Sequence, residues 1–359
     1  MTSRHPKTII IGAGIIGASI AYHLARRDAP VVIIDSGDIA GGATAKSFAW
    51  INSWSTPNKA YARLRHQSLQ DYHRLQGELN GALPLTLDGA LIWKADPADT
   101  ERRVREQASA GYDVKLIDAD HIYHAASNLR SPPPVAAFAA GEGAIEPVQA
   151  MRMLLRAAEK AGADIVTGTS VDHLRIENGN VTGVVTGKET FAADRTVIAA
   201  GTATDALAAT AGISIPLEHS PALLVRFRTE TPLIRRVIIC PEFEIRQASD
   251  TTLLAATGYQ DAAGENGPDA IAERLLATLR SRLCGADNLQ LESVEVGIRP
   301  IPADDLPVVG HVPQVGGLYL AVMHSGITLA PAIGRFAAAE LLDDTDIELL
   351  NICRPQRFA

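Results

Sequence analysis

The segment of this chain with the clearest chemistry is Gly12-Ala13-Gly14-Ile15-Ile16-Gly17. It follows an apolar run, Thr8–Ile11, and opens a helix expected over about Ile15 to Arg27. Gly12 permits a tight turn, Gly14 lets the main chain approach a pyrophosphate, and Gly17 lets the helix pack closely on its strand. The helix N-terminus then presents free N–H groups and a positive dipole end to the anion. Asp35 ends the next apolar run, Val31–Ile34, 18 residues past Gly17, where a carboxylate accepts hydrogen bonds from ribose hydroxyls. Strand, glycines, helix, strand and acid in register predict a bound dinucleotide. Ser36-Gly37-Asp38 supplies no cation for a 2′-phosphate, which argues against NADP.

The fingerprint does not separate FAD from NAD, but three further features favour FAD. The unit stands at the N-terminus. Gly41-Gly42-Ala43-Thr44 through Ser47 is a small-residue loop with hydroxyl donors, suited to a diphosphate. A second strand-to-glycine site, Ala199-Ala200-Gly201-Thr202, recurs later.

Three residues outside the fingerprint could act on a substrate. The Arg299 guanidinium is fork-shaped and permanently charged, suited to bidentate binding of a carboxylate; the rival reading is a structural ion pair. His324 and Ser325 precede the last helix on a sheet's carboxyl edge, where open α/β sheets bind ligands. His324 either contacts a ligand there or is satisfied by local backbone. Tyr259 ends a strand, Leu253–Thr257, that is expected to floor a pocket. His66 and His73 ride the polar face of a helix, and His121, His124 and His173 show no ligand spacing.

The elements that position these groups follow from pattern. The near-continuous apolar strands of the opening unit are those of a buried parallel sheet. Pro57 is read as starting a long helix to about Leu79, and Asp118 as capping a short one. Ser131-Pro132-Pro133-Pro134 marks a crossing between regions. Pro147 to Ala161 is helical and stopped by Gly162, Asn178-Gly179 is a hairpin turn, and Thr196 to Ala200 is another buried strand. Strand-like runs dominate from about Ile215 to Thr257; helices are expected over Asp269 to Leu283 and Ile327 to Leu342, with Leu318–Val322 a strand. The expected fold class is α/β, with a Rossmann-type dinucleotide domain and a second, β-rich α+β domain formed by insertions. The boundaries are 1–82, 141–214 and 297–359 for the first, 83–140 and 215–296 for the second.

Composition narrows the function classes. The 359 residues are 47% hydrophobic and 21% charged, proportions of a globular chain rather than a disordered one. A net charge of −8 and only 5% aromatics argue against nucleic-acid binding. Cys240, Cys284 and Cys353 are odd in number and far apart, with no CxxC, so neither a zinc ribbon nor a disulfide framework is expected. No signal-like h-region and no apolar run of membrane-spanning length occurs, and a soluble cytoplasmic protein is expected.

Taken together, these segments resemble the FAD-dependent amino-acid oxidase/dehydrogenase family, which includes glycine oxidase, sarcosine oxidase and D-amino-acid dehydrogenases. The resemblance spans nearly the whole chain. Besides Ile10 to Gly17 it rests on Gly141-Glu142-Gly143-Ala144-Ile145-Glu146-Pro147 and Val197-Ile198-Ala199-Ala200-Gly201. It continues in Gly297-Ile298-Arg299-Pro300 with Asp304, Pro307 and Gly310, and in Gly326-Ile327-Thr328-Leu329-Ala330-Pro331. The resemblance implies extended FAD, its isoalloxazine between the domains and substrate beyond it. It implies contacts from Gly12, Gly14, Ile15, Ile16, Gly17, Asp35, Ser36, Gly42, Ala43, Thr44 and Ser47, and from Val171 on the adenine side. It adds Ala200, Gly201, Arg299 and Ser325 to Leu329, the last group lying at a helix start whose dipole stabilises negative charge on the reduced flavin. Trp50 and Ser53 fall near the ring by the same analogy, with core packing the rival for Trp50.

Four departures from the family pattern stand out. Asp305 replaces a glycine, which a turn tolerates. Ala321-Val322 replaces the Gly-His pair that often precedes the final helix. No cysteine stands near Gly297, where some members attach FAD covalently, so non-covalent FAD is expected. No lysine stands near Gly258 to Ala262, where those members keep one for oxygen activation, which leaves a dehydrogenase open.

The expected activity is oxidation of the C–N bond of a small amino or N-substituted amino acid, by hydride transfer to flavin N5, giving an imine that hydrolyses. The alternatives are a flavin subunit passing electrons to a partner in a heteromeric amine or opine-type dehydrogenase, and a non-catalytic FAD-binding protein. A homo-oligomer is compatible with either catalytic reading.

Overall fold

The structure is a computed structural model that describes residues 5–39, 41–54, 56, 58–260 and 264–359. Its first layer is a six-stranded sheet. The order is Val308–His311, Leu318–Val322, Arg195–Ile198, Thr8–Ile11, Val31–Ile34 and Asp164–Val166. All neighbours run parallel except the edge strand Val308–His311. The fully apolar runs Ile9–Ile11 and Val31–Ile34 are buried on both faces, as parallel strands covered by helices must be.

The opening helix, Ile15–Ala25, is buried along its whole length. Its small residues explain how. A Cβ on Gly334 of the closing helix, Gly326–Asp343, would sit 2.1 Å from Ser19 Oγ, so the two helices pack backbone to backbone. Pro331 interrupts the closing helix and removes the N–H that would bond Ile327 O. The hydroxyl of Tyr72, on the long helix Lys59–Glu78, donates to that carbonyl at 2.5 Å. The long helix is capped by the Asn58 side chain, which accepts from Ala60 and Tyr61 N–H. The start expected at Pro57 lies outside the described residues.

The second layer is an eight-stranded sheet. Its order is Gln290–Pro302, Leu217–Arg228, Thr252–Gly258, Glu244–Ser249, Val237–Ile239, Ala90–Ile92, Val135–Ala139 and Val114–Asp118. Every pairing is antiparallel except Val237–Ile239 with Ala90–Ile92. One face buries Leu223, Val225, Ile245 and Ala255 with helix Pro268–Arg282 in an apolar core; the other turns toward the first layer. The strand Gln290–Pro302 runs unbroken through residue 297, so Arg299 belongs to this sheet.

Local signals hold where they are strongest. Asn178 and Gly179 take φ of 51° and 77°, the double left-handed geometry of a tight hairpin, between strands Val171–Glu177 and Asn180–Thr186. Asp118 caps Ala119–Ala125 by accepting from His121 N–H at 3.0 Å. Asp305 has φ of 61°, the turn conformation that its side chain tolerates. Beyond the small-residue loop that ends at Ser47 comes one short strand, Trp50–Ile51, paired with Gly143–Ile145. No helix among the described residues is long and apolar enough to cross a membrane.

Candidate active site

The glycine turn is built by steric exclusion. Gly12 has φ of +106°, and a Cβ there would lie 2.4 Å from the O of Ala199, the residue just past the neighbouring strand Arg195–Ile198. A Cβ on Gly17 would lie 1.9 Å from Gly12 O, so the helix can sit this close only with glycine. Ala13 N–H donates to Asp35 Oδ2 at 2.7 Å and Gly37 N–H to Oδ1 at 2.9 Å. The acid thus fixes the turn, with acceptor capacity left on both oxygens. Ile15 N–H donates to Thr44 Oγ1 at 3.1 Å, which seats the small-residue loop against the helix N-terminus.

These groups line one end of a cavity of about 1290 Å³ that runs between the two sheets. That exceeds the roughly 300–1,000 Å³ of pockets for single small ligands. Gly12, Gly14, Ile15, Ile16, Asp35, Ser36, Gly42, Ala43, Thr44, Ser47, Val171, Ala200 and Gly201 all reach it. So do Trp50, Arg299, His324, Ser325, Gly326, Ile327 and Thr328.

Four expected positions do not line the cavity. Gly17 faces Gly12 rather than the cavity, in its packing role. Leu329 turns with the helix into the core between the first sheet and its helices, fully buried. Tyr259 stands one residue beyond its strand and packs against the apolar core of the eight-stranded sheet, although Ala256, Thr257 and Gly258 of that strand do line the cavity. Ser53 is buried, its N–H donating to Glu142 Oε1 at 2.8 Å.

At the far end, Arg299 projects from the eight-stranded sheet. Its Nη2 donates to Ser220 Oγ at 2.7 Å and its Nε to Ser220 O at 3.4 Å. Among the described residues it makes no ion pair. His324 presents its ring to the cavity, where the surrounding protein and the Arg299 and Arg65 charges lower its pKa to about 4. It is therefore neutral at physiological pH. The Thr328 hydroxyl, at the start of the closing helix, donates to Trp50 O at 3.3 Å and accepts from Asn52 N–H at 3.3 Å. This ties the helix N-terminus, with its free N–H groups, to the segment beneath it.

A family profile described as FAD dependent oxidoreductase matches residues 7–340. The chain belongs to this FAD-dependent oxidoreductase family. Glycine oxidase of Bacillus licheniformis is 27% identical over 93% of this chain and 92% of its own length. An uncharacterized oxidoreductase of Bacillus subtilis, YurR, is 30% identical over 95% and 96%. In structure the chain is similar to glycine oxidase from Geobacillus kaustophilus, with a TM-score of 0.89 at 23% identity, covering 99% and 100% of the two chains.

The residues present in this FAD-dependent oxidoreductase fit the cofactor. Asp35, Ser36 and Val171 flank the end suited to an adenosine, the Gly12–Thr44 cradle suits a diphosphate, and the helix start at Gly326 offers N–H donors further along. Position 297 is a glycine whose added Cβ would meet Lys46 Cβ at 3.0 Å. Cys240 also lines the cavity, but burial pushes its thiol up to about 12, which leaves little thiolate to form a bond.

Several site residues carried no readable signal in the sequence. Arg65, on the long helix, donates to Asn52 O at 3.0 Å and Thr56 Oγ1 at 3.1 Å and reaches the cavity. Glu142 lies fully inside and accepts from Ser53 N, Trp54 N and Trp50 Nε1 at 2.8, 2.9 and 3.1 Å. Burial pushes its carboxyl up to about 7. Glu244 lines the cavity on the same sheet as Arg299. The partners of Glu142 lie about 90 positions away, and nothing local announces the role of Arg65 or Glu244.

Proposed function

We propose that this enzyme oxidises the C–N bond of a small amino or N-substituted amino acid to an imine, with Arg299 holding the substrate carboxylate. The supporting observation is the Arg299 guanidinium. Among the described residues it is held by neutral oxygens where it meets the cavity, whereas Arg246, buried on the same sheet, is matched by Glu146 at 2.6 Å. A cationic fork without a protein carboxylate is a site for a carboxylate from outside.

On this reading the six-stranded sheet holds the dinucleotide and the eight-stranded sheet faces the substrate. Bound FAD supplies the two-electron acceptor. The chain's own groups bind and orient. Arg299 fixes the carboxylate and so the direction of the α-hydrogen. His324, held neutral, adds no second positive charge beside Arg299 and leaves the amine free to bind unprotonated. The nitrogen lone pair becomes the second C=N bond as the α-hydrogen leaves with its electron pair, and the resulting iminium gives up its N–H proton to water to become the imine. Water then hydrolyses the imine to a carbonyl compound and a free amine. The N–H groups at Gly326 to Thr328 face the cavity as donors toward negative charge that develops on the acceptor.

The test is anaerobic mixing of the FAD-loaded enzyme with amino and imino acids, following flavin absorbance. Arg299→Ala should keep its FAD and lose about 2–4 kcal/mol of carboxylate binding, the scale of two charge-assisted bonds, seen as a raised KM. An unchanged KM removes Arg299 from this role. Failure of every amine to bleach the flavin defeats the activity itself.

A further inference from the structure

Cross-strand partners share a face of a sheet, so the register fixes what lies beside Arg299. Arg299 pairs with Ser220, Gly297 with Ala222, Ala222 with Gly258, and Ala256 with Glu244. Ile245 pairs with Ala255, and both are in the apolar core on the opposite face. Glu244 therefore stands on the cavity face, and it lines the cavity, as do Gly297, Ala222, Gly258 and Ala256. On the line between the two charges this face of the sheet carries Ser220, Ala222, Gly258 and Ala256, with Lys46 standing over Gly297 to one side.

The neighbours of Glu244 are engaged elsewhere. Glu242 is paired with Arg282 at 3.4 Å, and Arg246 donates to Glu146 and to Phe48 O. The Glu244 carboxylate has no hydrogen bond or ion pair among the described residues. Burial raises its pKa, and the Lys94 and Arg299 charges act against that rise. A half-buried carboxyl that is desolvated without a partner is stabilised by an incoming cation.

We propose that Glu244 is a specificity-determining residue: with Arg299 taking the carboxylate, it receives a cationic group at the other end of the substrate. The inference rests on the carboxylate role of Arg299. The substrate class is thus an amino acid whose side chain or N-substituent ends in an amine or guanidinium. Glu244 and Arg299 lie three strands and four register positions apart, roughly 19 Å between Cα atoms on a flat sheet. Both side chains are long, and the strand positions between them carry small side chains. A ligand touching both must extend several bonds beyond its carboxylate, which glycine does not.

The experiment compares isosteric pairs on the FAD-loaded enzyme, each as D and L forms: arginine with citrulline, lysine with 2-aminoheptanoate, ornithine with norleucine. Anaerobic flavin bleaching gives the rate of reduction and its half-saturation for each. The cationic member should win by at least about tenfold, the lower bound for one hydrogen-bonded charge pair. Glu244→Gln, equal in size, should collapse that ratio to near one at unchanged FAD content and melting temperature. Parity within the wild-type pairs overturns the proposal, even if the variant fails to fold. So does a ratio that survives in Glu244→Gln. Bleaching by neutral amino acids alone rejects Glu244 while leaving the C–N oxidation intact. Bleaching by none defeats that oxidation, and the inference falls with it.

Discussion

Glu142 is 3% exposed, and its pKa stands at about 7 because burial disfavours the charged form more than its N–H donors favour it. The folded state thus binds this proton more tightly than the unfolded chain, where a glutamate titrates near 4.5. The stability that results is complete below pH 4.5 and is lost as pH rises through 7. The gap between those values corresponds to about 3 kcal/mol. Glu142→Gln does not titrate. Its carbonyl oxygen can keep the Ser53 and Trp54 N–H bonds, while its NH₂ would face the Trp50 indole N–H and strand it, at about 1–3 kcal/mol. The variant should therefore be the less stable protein at pH 5 and equal or superior at pH 8.5. Urea unfolding of both holoenzymes at the two pH values measures this, because other titrating groups cancel in the difference between variants. A deficit of the same size at both pH values would show that Glu142 is not protonated in the folded state, and the argument from burial would fail.

Two further outcomes follow from contacts described above or adjoining them. Gly17→Ala places a Cβ 1.9 Å from Gly12 O, a backbone atom that cannot give way alone, so the purified protein should have lost its FAD; a full flavin spectrum would refute the steric account. Arg354→Ala strands Glu340, 3% exposed, whose carboxylate accepts from Arg354 at 2.6 and 3.0 Å and from Tyr319 OH at 2.7 Å; it should cost about 3–5 kcal/mol in denaturant unfolding, and a loss below about 1 kcal/mol would contradict it.

The parts of this molecule that were legible in the sequence are those whose geometry is set within a few residues. The Gly12–Gly17 turn, the Asn178-Gly179 hairpin and the Asp305 turn each need backbone conformations that only a few residue types adopt, so the residue types name the structure. The family resemblance extended this to the cavity position of Arg299, inside its strand, and to the Gly326 helix start. It took in Glu142 within the Gly141–Pro147 motif without giving it a role, and it did not reach Arg65 or Glu244. Glu142 acts on Trp50 to Trp54, about 90 positions away, and its own neighbours are ordinary turn residues. Glu244 and Arg246 alternate on a strand in the way solvent-facing residues do, and the pattern cannot tell a cavity from bulk water. Tyr259 and Leu329 miss the cavity lining for the same reason in reverse. Tyr259 is expected from the strand it follows and Leu329 from the helix-start motif, and one residue of strand or helix turns a side chain from the cavity to the core.

The segment from Ser47 to Trp54 explains why so many buried charges cluster where the two sheets meet. It must hold position against both. Arg246, from the eight-stranded sheet, donates to Phe48 O; Thr328, from the closing helix, bonds Trp50 O and Asn52 N; Arg65, from the long helix, holds Asn52 O; Glu142 takes the remaining N–H groups at Ser53 and Trp54. The segment is irregular apart from its two-residue strand, so side chains must satisfy backbone groups that a sheet or helix would satisfy elsewhere. Buried charged groups do this with the strongest bonds available, and a misplaced partner leaves a costly unpaired group, so one arrangement is favoured over near alternatives. On the proposed function, that single arrangement sets where Arg299 stands relative to the glycine turn. Loosening it at Glu142 should then slow flavin reduction at saturating substrate as well as lower stability. Substitution of exposed His66, on the same long helix but outside this network, should leave the rate of reduction alone. If both variants reduce at the wild-type rate, the seam holds the fold together without positioning the chemistry.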